Sequence, residues 1–148
     1  MAQSQFVYVT FIRTTPDRLW AALREREFTE KYWFGAHLVS DWKAGSSWKI
    51  IMKDGRVADT GEILEADPPR RLVIKWRNEF MPELKAEGYS RCVMEIEEMG
   101  GACKLTISHS IEKDHSKFVE AVSGGWPRIL SNLKSLLETG AVAMPDTA

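Results

Sequence analysis

The constraint that most narrows the folds open to this chain is a pair of glycines set between two alternating runs. Cys92, Met94 and Ile96 recur at every second position before Gly100-Gly101; Leu105, Ile107 and His109 do so after it. Alternation of period two places each set on one face of a strand. A two-residue Gly-Gly loop suits a hairpin turn with positive φ at both central positions. That turn sets the register: Met99 opposite Ala102, hence Ile96 opposite Leu105, Met94 opposite Ile107 and Cys92 opposite His109. Every pair falls on the same face, so turn, register and apolar pattern agree.

The remaining elements follow from the same rules. Phe6 to Ile12 is rich in aromatic and β-branched residues and reads as a strand. Thr15-Pro16-Asp17 starts a helix, with a Thr cap, Pro at the first helical position and an acid in the first turn. Leu19, Trp20 and Leu23 share its apolar face. Thr29 is expected to cap a second short helix running through Trp33. Trp48, Ile50 and Met52 then alternate with Lys49, Ile51 and Lys53, up to a turn at Asp54-Gly55. A strand over Val57 to Ala66 is separated by Pro68-Pro69 from one in which Leu72, Ile74 and Trp76 alternate with Val73, Lys75 and Arg77. Asn78 to Gly88 reads as a loop. Trp126, Ile129, Leu130, Leu133, Leu136 and Leu137 recur at helical spacing, with Gly140 as the C-cap. Pro127, just after Gly124-Gly125, either begins this helix or kinks a longer one starting near Ser116. The order is one strand, two short helices, six strands in meander and a long amphipathic helix. It predicts an α+β fold, a curved antiparallel sheet around the terminal helix with room for a cavity between them.

A length of 148 residues suits a single domain, 1–148. Its core is expected over about 5–140, with 141–148 as a frayed tail. A net charge of -1 argues against nucleic acid as the main partner, since that binding is built on phosphate neutralisation. No apolar run approaches the ~20 residues of a membrane span. Met1 to Gln5 shows no basic patch followed by an apolar core, so a cytoplasmic location is expected. In the hairpin register Cys92 and Cys103 lie about six residues apart along the strands, roughly 20 Å. A disulfide needs Cα atoms within about 7 Å, so both thiols are expected to be reduced.

Few residues offer chemistry. His109 lies on the apolar face beside Cys92, where a neutral imidazole either acts as acid or base or is a core histidine satisfied by a neighbour. A nucleophilic cysteine is not expected, because no third group orients the pair. His37, His109 and His115 show no metal-binding spacing, and no metal or cofactor is expected. Asp114-His115 reads as a solvated loop pair. Glu25 to Glu30 and Glu95 to Glu98 read as solvated faces, with Glu95 and Glu97 outside by parity. Arg70, Arg71, Lys75 and Arg77 form a small basic patch on an outer strand face. The strongest signal is tryptophan, six in all. Trp48 and Trp76 have inward parity, Trp126 opens the apolar helix face, and Trp33 ends a short helix beside Phe34. All four can converge on the gap between sheet and helix, where an indole offers apolar area and one N–H donor. Trp20 belongs to helix packing, and Trp42 has no firm placement.

Several strings, in this order, resemble one known family: IRTTPDRLWAAL over Ile12 to Leu23, Tyr32-Trp33-Phe34, and GEILEADPPRRLVIKW over Gly61 to Trp76. LTISH over Leu105 to His109 and SGGWPRILSNLKSLLETG over Ser123 to Gly140 complete the set. Together they resemble the START-like (SRPBCC) superfamily with the helix-grip fold. Within it they are similar to the subfamily named after the activator of heat-shock protein 90 ATPase. The resemblance covers nearly the whole chain. It implies a seven-stranded sheet gripping the C-terminal helix and an internal pocket for an apolar small molecule. Relative to the eukaryotic activator, it corresponds only to the C-terminal domain.

The expected function is therefore non-catalytic binding of an apolar or amphipathic small molecule between sheet and helix. The expected lining is Trp33, Phe34, Trp48, Ile50, Met52, Trp76, Cys92, Met94, Ile107, His109, Phe118, Trp126, Ile129 and Leu130. Its mouth is expected near Trp33-Phe34, the Asn78 to Gly88 loop and Ser116 to Phe118. Two alternatives stand beside it. One is a co-chaperone-like regulator of a heat-shock protein 90 ATPase. The other is a cyclase, dehydratase or hydrolase using His109 in the same pocket. That enzyme needs a second titratable group in the cavity. The strands offer no evident inward carboxylate, which leaves Glu79, Glu83 or Glu87 from the loop.

Overall fold

A computed structural model describes residues 3–145. Strand β1 (Ser4–Ile12) leads into helices α1 (Pro16–Arg24) and α2 (Arg26–Tyr32). Six strands follow: β2 (His37–Ser40), β3 (Ser47–Ile51), β4 (Val57–Asp67), β5 (Arg71–Asn78), β6 (Ser90–Glu98) and β7 (Cys103–Ile111). A one-turn helix, α3 (Pro82–Lys85), lies between β5 and β6, and α4 (Lys117–Thr139) closes the order. The sheet has the strand order β1-β7-β6-β5-β4-β3-β2 and is antiparallel throughout. Six strands thus form a meander, and β1 returns beside the last of them. With α4 packed in its concave side, this is the helix-grip fold.

The glycine hairpin has the expected register. Ile96 pairs with Leu105, Met94 with Ile107 and Cys92 with His109. Gly100 and Gly101 have φ of 57° and 91°, and Met99 N–H donates to the Ala102 carbonyl at 2.8 Å. Thr15 caps α1 through a 3.2 Å bond from Arg18 N–H, with Pro16 in the first turn.

Several expectations are corrected. Thr29 is not a cap: α2 begins a turn earlier, and Thr29 lies inside it, fully buried. The segment from Asn78 to Gly88 is not all loop, because Met81-Pro82 nucleates α3 and buries Leu84. Pro127 lies within a longer helix, which Ser116 caps by accepting from Val119 N–H at 3.1 Å. The β2 strand, which the sequence pattern did not locate, pairs with β3 through Leu38 opposite Ile50. Three of the four cations of the basic patch are paired, Arg71 with Glu65 and Glu95, Arg70 with Asp67 and Arg77 with Glu79, while Lys75 lies over the Tyr89 ring.

The C-terminal half of α4 is fastened to the rest of the protein. Arg18 donates to the Leu137 carbonyl at 2.9 Å, Arg13 N–H donates to Glu138 at 2.8 Å, and Lys134 reaches both Phe11 O and Glu138. Asn132, fully buried, donates to the Met144 carbonyl at 2.9 Å and accepts from Met144 N–H at 2.7 Å. Residues 141–145 of the expected frayed tail are therefore folded back on the helix, while 146–148 lie outside the described residues. Among the described residues no helix is long and apolar enough to cross a membrane.

Candidate functional site

Cross-strand pairing arranges the inner face of the sheet in rows. One row runs Ile50, Asp59, Asn78 across β3, β4 and β5. The next runs Trp48, Gly61, Trp76, Ser90. Gly61 has no alternative there, because an added Cβ would lie 1.6 Å from the Lys75 carbonyl oxygen. Trp48 and Trp76, the partners of Gly61 on the two neighbouring strands, bring their rings to 4.5 Å between centroids. Trp126 comes down from α4 and Trp33 in from the end of α2. Trp33 lies 5.4 Å from Trp126 and 6.3 Å from Trp76, and Trp76 lies 5.7 Å from Trp126. The structure brings four of the six tryptophans into one cluster.

This cluster is a wall with different chemistry on each side. On the inner side, His109 is fully buried and both ring nitrogens are engaged. Nδ1 accepts from Trp126 Nε1–H at 3.1 Å, so the proton of the neutral ring is on Nε2, 2.8 Å from Ser90 Oγ. Ser90 Oγ in turn donates to the Trp76 carbonyl at 3.0 Å. Burial lowers the His109 pKa from 6.5 to about 3, which keeps the ring neutral. The geometry gives His109 no free nitrogen for acid–base work; it is a satisfied core histidine. Cys92 beside it is buried, and burial pushes its thiol pKa up, away from nucleophilic range.

On the outer side lies a cavity of about 730 Å³ between β3–β4 and the N-terminal half of α4. Trp33, Phe34, Ala36, Ile50, Met52, Ala58, Phe80 and Ile129 supply its apolar lining, and Gly125 exposes helix backbone to it. A smaller space of about 210 Å³, lined also by Trp76, Met81, Leu84, Phe118 and Trp126, shares Trp33, Ile50, Asp59, Phe80 and Ile129 with it. Lys53, Asp54 and Arg128 stand on the polar side of the lining, with the Arg128 guanidinium 5.5 Å from the centre of the Phe34 ring. Phe34 holds this position with a left-handed φ of 50°.

Of the residues expected to line a pocket, Trp33, Phe34, Ile50, Met52, Trp76, Phe118, Trp126 and Ile129 border one of the two spaces. Trp48, Cys92, Met94, Ile107, His109 and Leu130 do not; they are core behind the tryptophan wall. The expected mouth at Ser116 is closed by Glu87, which takes the Ser116 hydroxyl and the Lys117 N–H at 2.9 Å. Among the described residues, no group of three or more His, Cys, Asp and Glu side chains could hold a metal ion.

The residue that the sequence reading missed is Asp59. It borders both spaces and is only 8% exposed. Its Oδ2 accepts from Trp76 Nε1–H at 2.7 Å. Burial, opposed by that bond and assisted by nearby Glu79, pushes its carboxyl up to about 6. Glu79 itself is held down to about 2, chiefly by Arg77 and also by Thr60 and Lys85, and faces those partners. A usable signal was present: Asp59 is two residues before Gly61, hence on the same strand face.

The family model described as Activator of Hsp90 ATPase homolog 1-like protein matches residues 13–138. Compared with curated proteins, the sequence has no match. Among solved structures, a Mesorhizobium loti protein aligns at TM-score 0.77 and 20% identity over 91% of this chain and 97% of its own. An HSP90 activator from Plasmodium falciparum aligns at TM-score 0.73 and 20% identity, over 90% of this chain and 95% of its own. A putative protein in the dynemicin biosynthetic locus aligns at 0.75 and 20%, over 96% of this chain but 50% of its own. At such identities these likenesses show the fold alone.

Proposed function

The chain belongs to the Activator of Hsp90 ATPase homolog 1-like family, and from that premise we propose that it binds an apolar or amphipathic small molecule without transforming it. The observation that carries this reading is the cavity of about 730 Å³, aromatic on its inner wall and open beside Arg128. Its size falls within the range of ligand pockets, roughly 300–1,000 Å³, and its lining is mostly apolar with few polar groups. Family membership alone would not single out binding, because this fold hosts unrelated functions.

Gly125 offers a direct test. It borders the cavity, and an added Cβ there meets nothing within 4 Å. Gly125→Phe fills the space from the helix side and improves helix propensity. Nile red is expected to bind native protein saturably with a blue-shifted emission. Its affinity is expected to fall roughly tenfold or more in Gly125→Phe, without loss of thermal stability. Absence of saturable binding to the native protein rejects the reading.

A second reading is regulation of an Hsp90-type ATPase. It is favoured by the family's description and by the solved relative described as an HSP90 activator. Val7, Val9 and Phe11 on the outer face of β1 are all exposed, an apolar stripe that a protein partner could cover. Unchanged ATPase turnover of purified chaperone in the presence of this protein would count against it.

A further inference from the structure

We propose that Asp59 selects the head group of the ligand: an O–H or N–H donor on an apolar body, seated against Asp59 Oδ1 in the cavity. This rests on the binding reading above and specifies what is bound.

The argument begins with an unequal carboxylate. Asp59 Oδ2 is held by Trp76 Nε1–H at 2.7 Å, which orients the group on the rigid tryptophan wall. Among the described residues Oδ1 has no hydrogen-bond partner, although Asp59 is more than nine-tenths buried. Asp59 borders both spaces, so its second oxygen is reached from the cavity side, and an acceptor on so buried a residue gains most from a donor that enters with the ligand. Among the described residues, three cations placed around Asp59 have other partners. Arg77 and Lys85 are engaged with Glu79, and Arg128 lies over Phe34 at the cavity edge. At pH 7.5 the carboxyl, pushed up to about 6, is ionised and can only accept. A ligand that donates there gains a charge-assisted bond, whereas one that presents only acceptors loses it and is repelled. The aromatic surroundings, Trp33, Phe34, Trp76 and Phe80, take the apolar body.

Substitution by asparagine gives a reversal, which a loss of stability does not mimic. Trp76 Nε1–H still needs an acceptor, so it claims the single amide oxygen of Asp59→Asn. The atom turned toward the cavity is then an amide N–H₂, a donor in place of an acceptor.

Three naphthalene probes separate the possibilities by calorimetry at pH 7.5. 2-Methoxynaphthalene has no donor, 2-naphthol has a neutral donor, and 2-naphthylmethylamine has a cationic one. For native protein at least one donor probe is expected to bind about tenfold or more tightly than the methoxy compound. The one that gains more shows whether the natural head group is a hydroxyl or an ammonium. In Asp59→Asn the ratio is expected to fall to about one or invert, with methoxy binding retained as the sign of an intact cavity. Equal affinities in native protein, or a donor preference that survives Asp59→Asn, overturn the assignment while leaving the cavity reading in place. Failure of all three probes together with Nile red overturns both. If Asp59→Asn does not fold, the native ratio decides alone.

Discussion

At Asp59 two opposing effects meet, and pH separates them. Burial disfavours the ionised form, and the Trp76 N–H favours it. The net result raises the carboxyl from 3.8 to about 6. Between those values the folded chain holds a proton that the unfolded chain has released, so the contribution of Asp59 to stability is complete below about pH 4 and declines as pH rises through about 6. His109 has the opposite sign. Lowered from 6.5 to about 3, its contribution is complete above about 6.5 and is lost as pH falls toward 3. Asp59→Asn removes the first effect only. The stability of the variant relative to native protein is therefore expected to grow by about 2 kcal/mol between pH 4 and pH 7, and to stay level above that. Chemical denaturation at four or five pH values measures it. A difference independent of pH would mean that Asp59 is not an ionised group in a dry wall.

Among the elements, the glycine hairpin was legible because everything that specifies it is local. A two-residue turn sets the register, and the register sets the face. Strand β4 was not legible to the same degree. It is joined to β5 through Pro68-Pro69 and carries irregular pairing at Ile63/Glu65, while β3 has another at Ile50/Ile51. Parity counted across those shifts loses its phase, but Asp59 to Ile63 lie between them and stay in phase; Asp59 escaped notice because an inward carboxylate runs against the apolar pattern that placed Trp48 and Trp76. The tryptophans were legible as inward residues, but not as a wall dividing core from cavity. That division depends on α4 and the α2–β2 connection meeting the sheet, a long-range packing event. Glu87 is another long-range feature. It binds the Ser116 hydroxyl and, through its other oxygen, the Lys117 N–H, joining the α3 segment to the first turn of α4. Glu87→Ala removes an acceptor from that helix N-terminus. It is expected to lower stability by about 1 kcal/mol and to speed probe entry and release, because the α3 segment, which brings Phe80 and Leu84 to the cavity lining, then moves more freely. Stopped-flow fluorescence with Nile red reads the rates; unchanged rates would show that α3 does not gate the cavity.

On the scale of the whole molecule, the sheet is gripped unevenly. The C-terminal half of α4 is bound to β1 and α1 through Lys134, Leu137 and Glu138, and Asn132 secures the following residues. The N-terminal half roofs the cavity, and it contains Gly124, Gly125 and Pro127. Each glycine costs a helix interior ~1 kcal/mol relative to alanine, and a proline removes one backbone bond. One continuous helix therefore carries its weakest helix formers over the empty space and its leucines over the packed core. In native-state hydrogen exchange this becomes a gradient along a single helix. Amides of residues 119–126 are expected to exchange at least roughly tenfold faster than those of 130–137. A bound ligand should slow the first group and leave the second unchanged. Uniform protection would mean that the roof is as rigid as its anchorage. With the expected gradient, the helix acts as a beam pinned at its first turn by Glu87 and Ser4 and along its C-terminal half, whose glycine-bearing stretch between can give to suit occupants of different thickness.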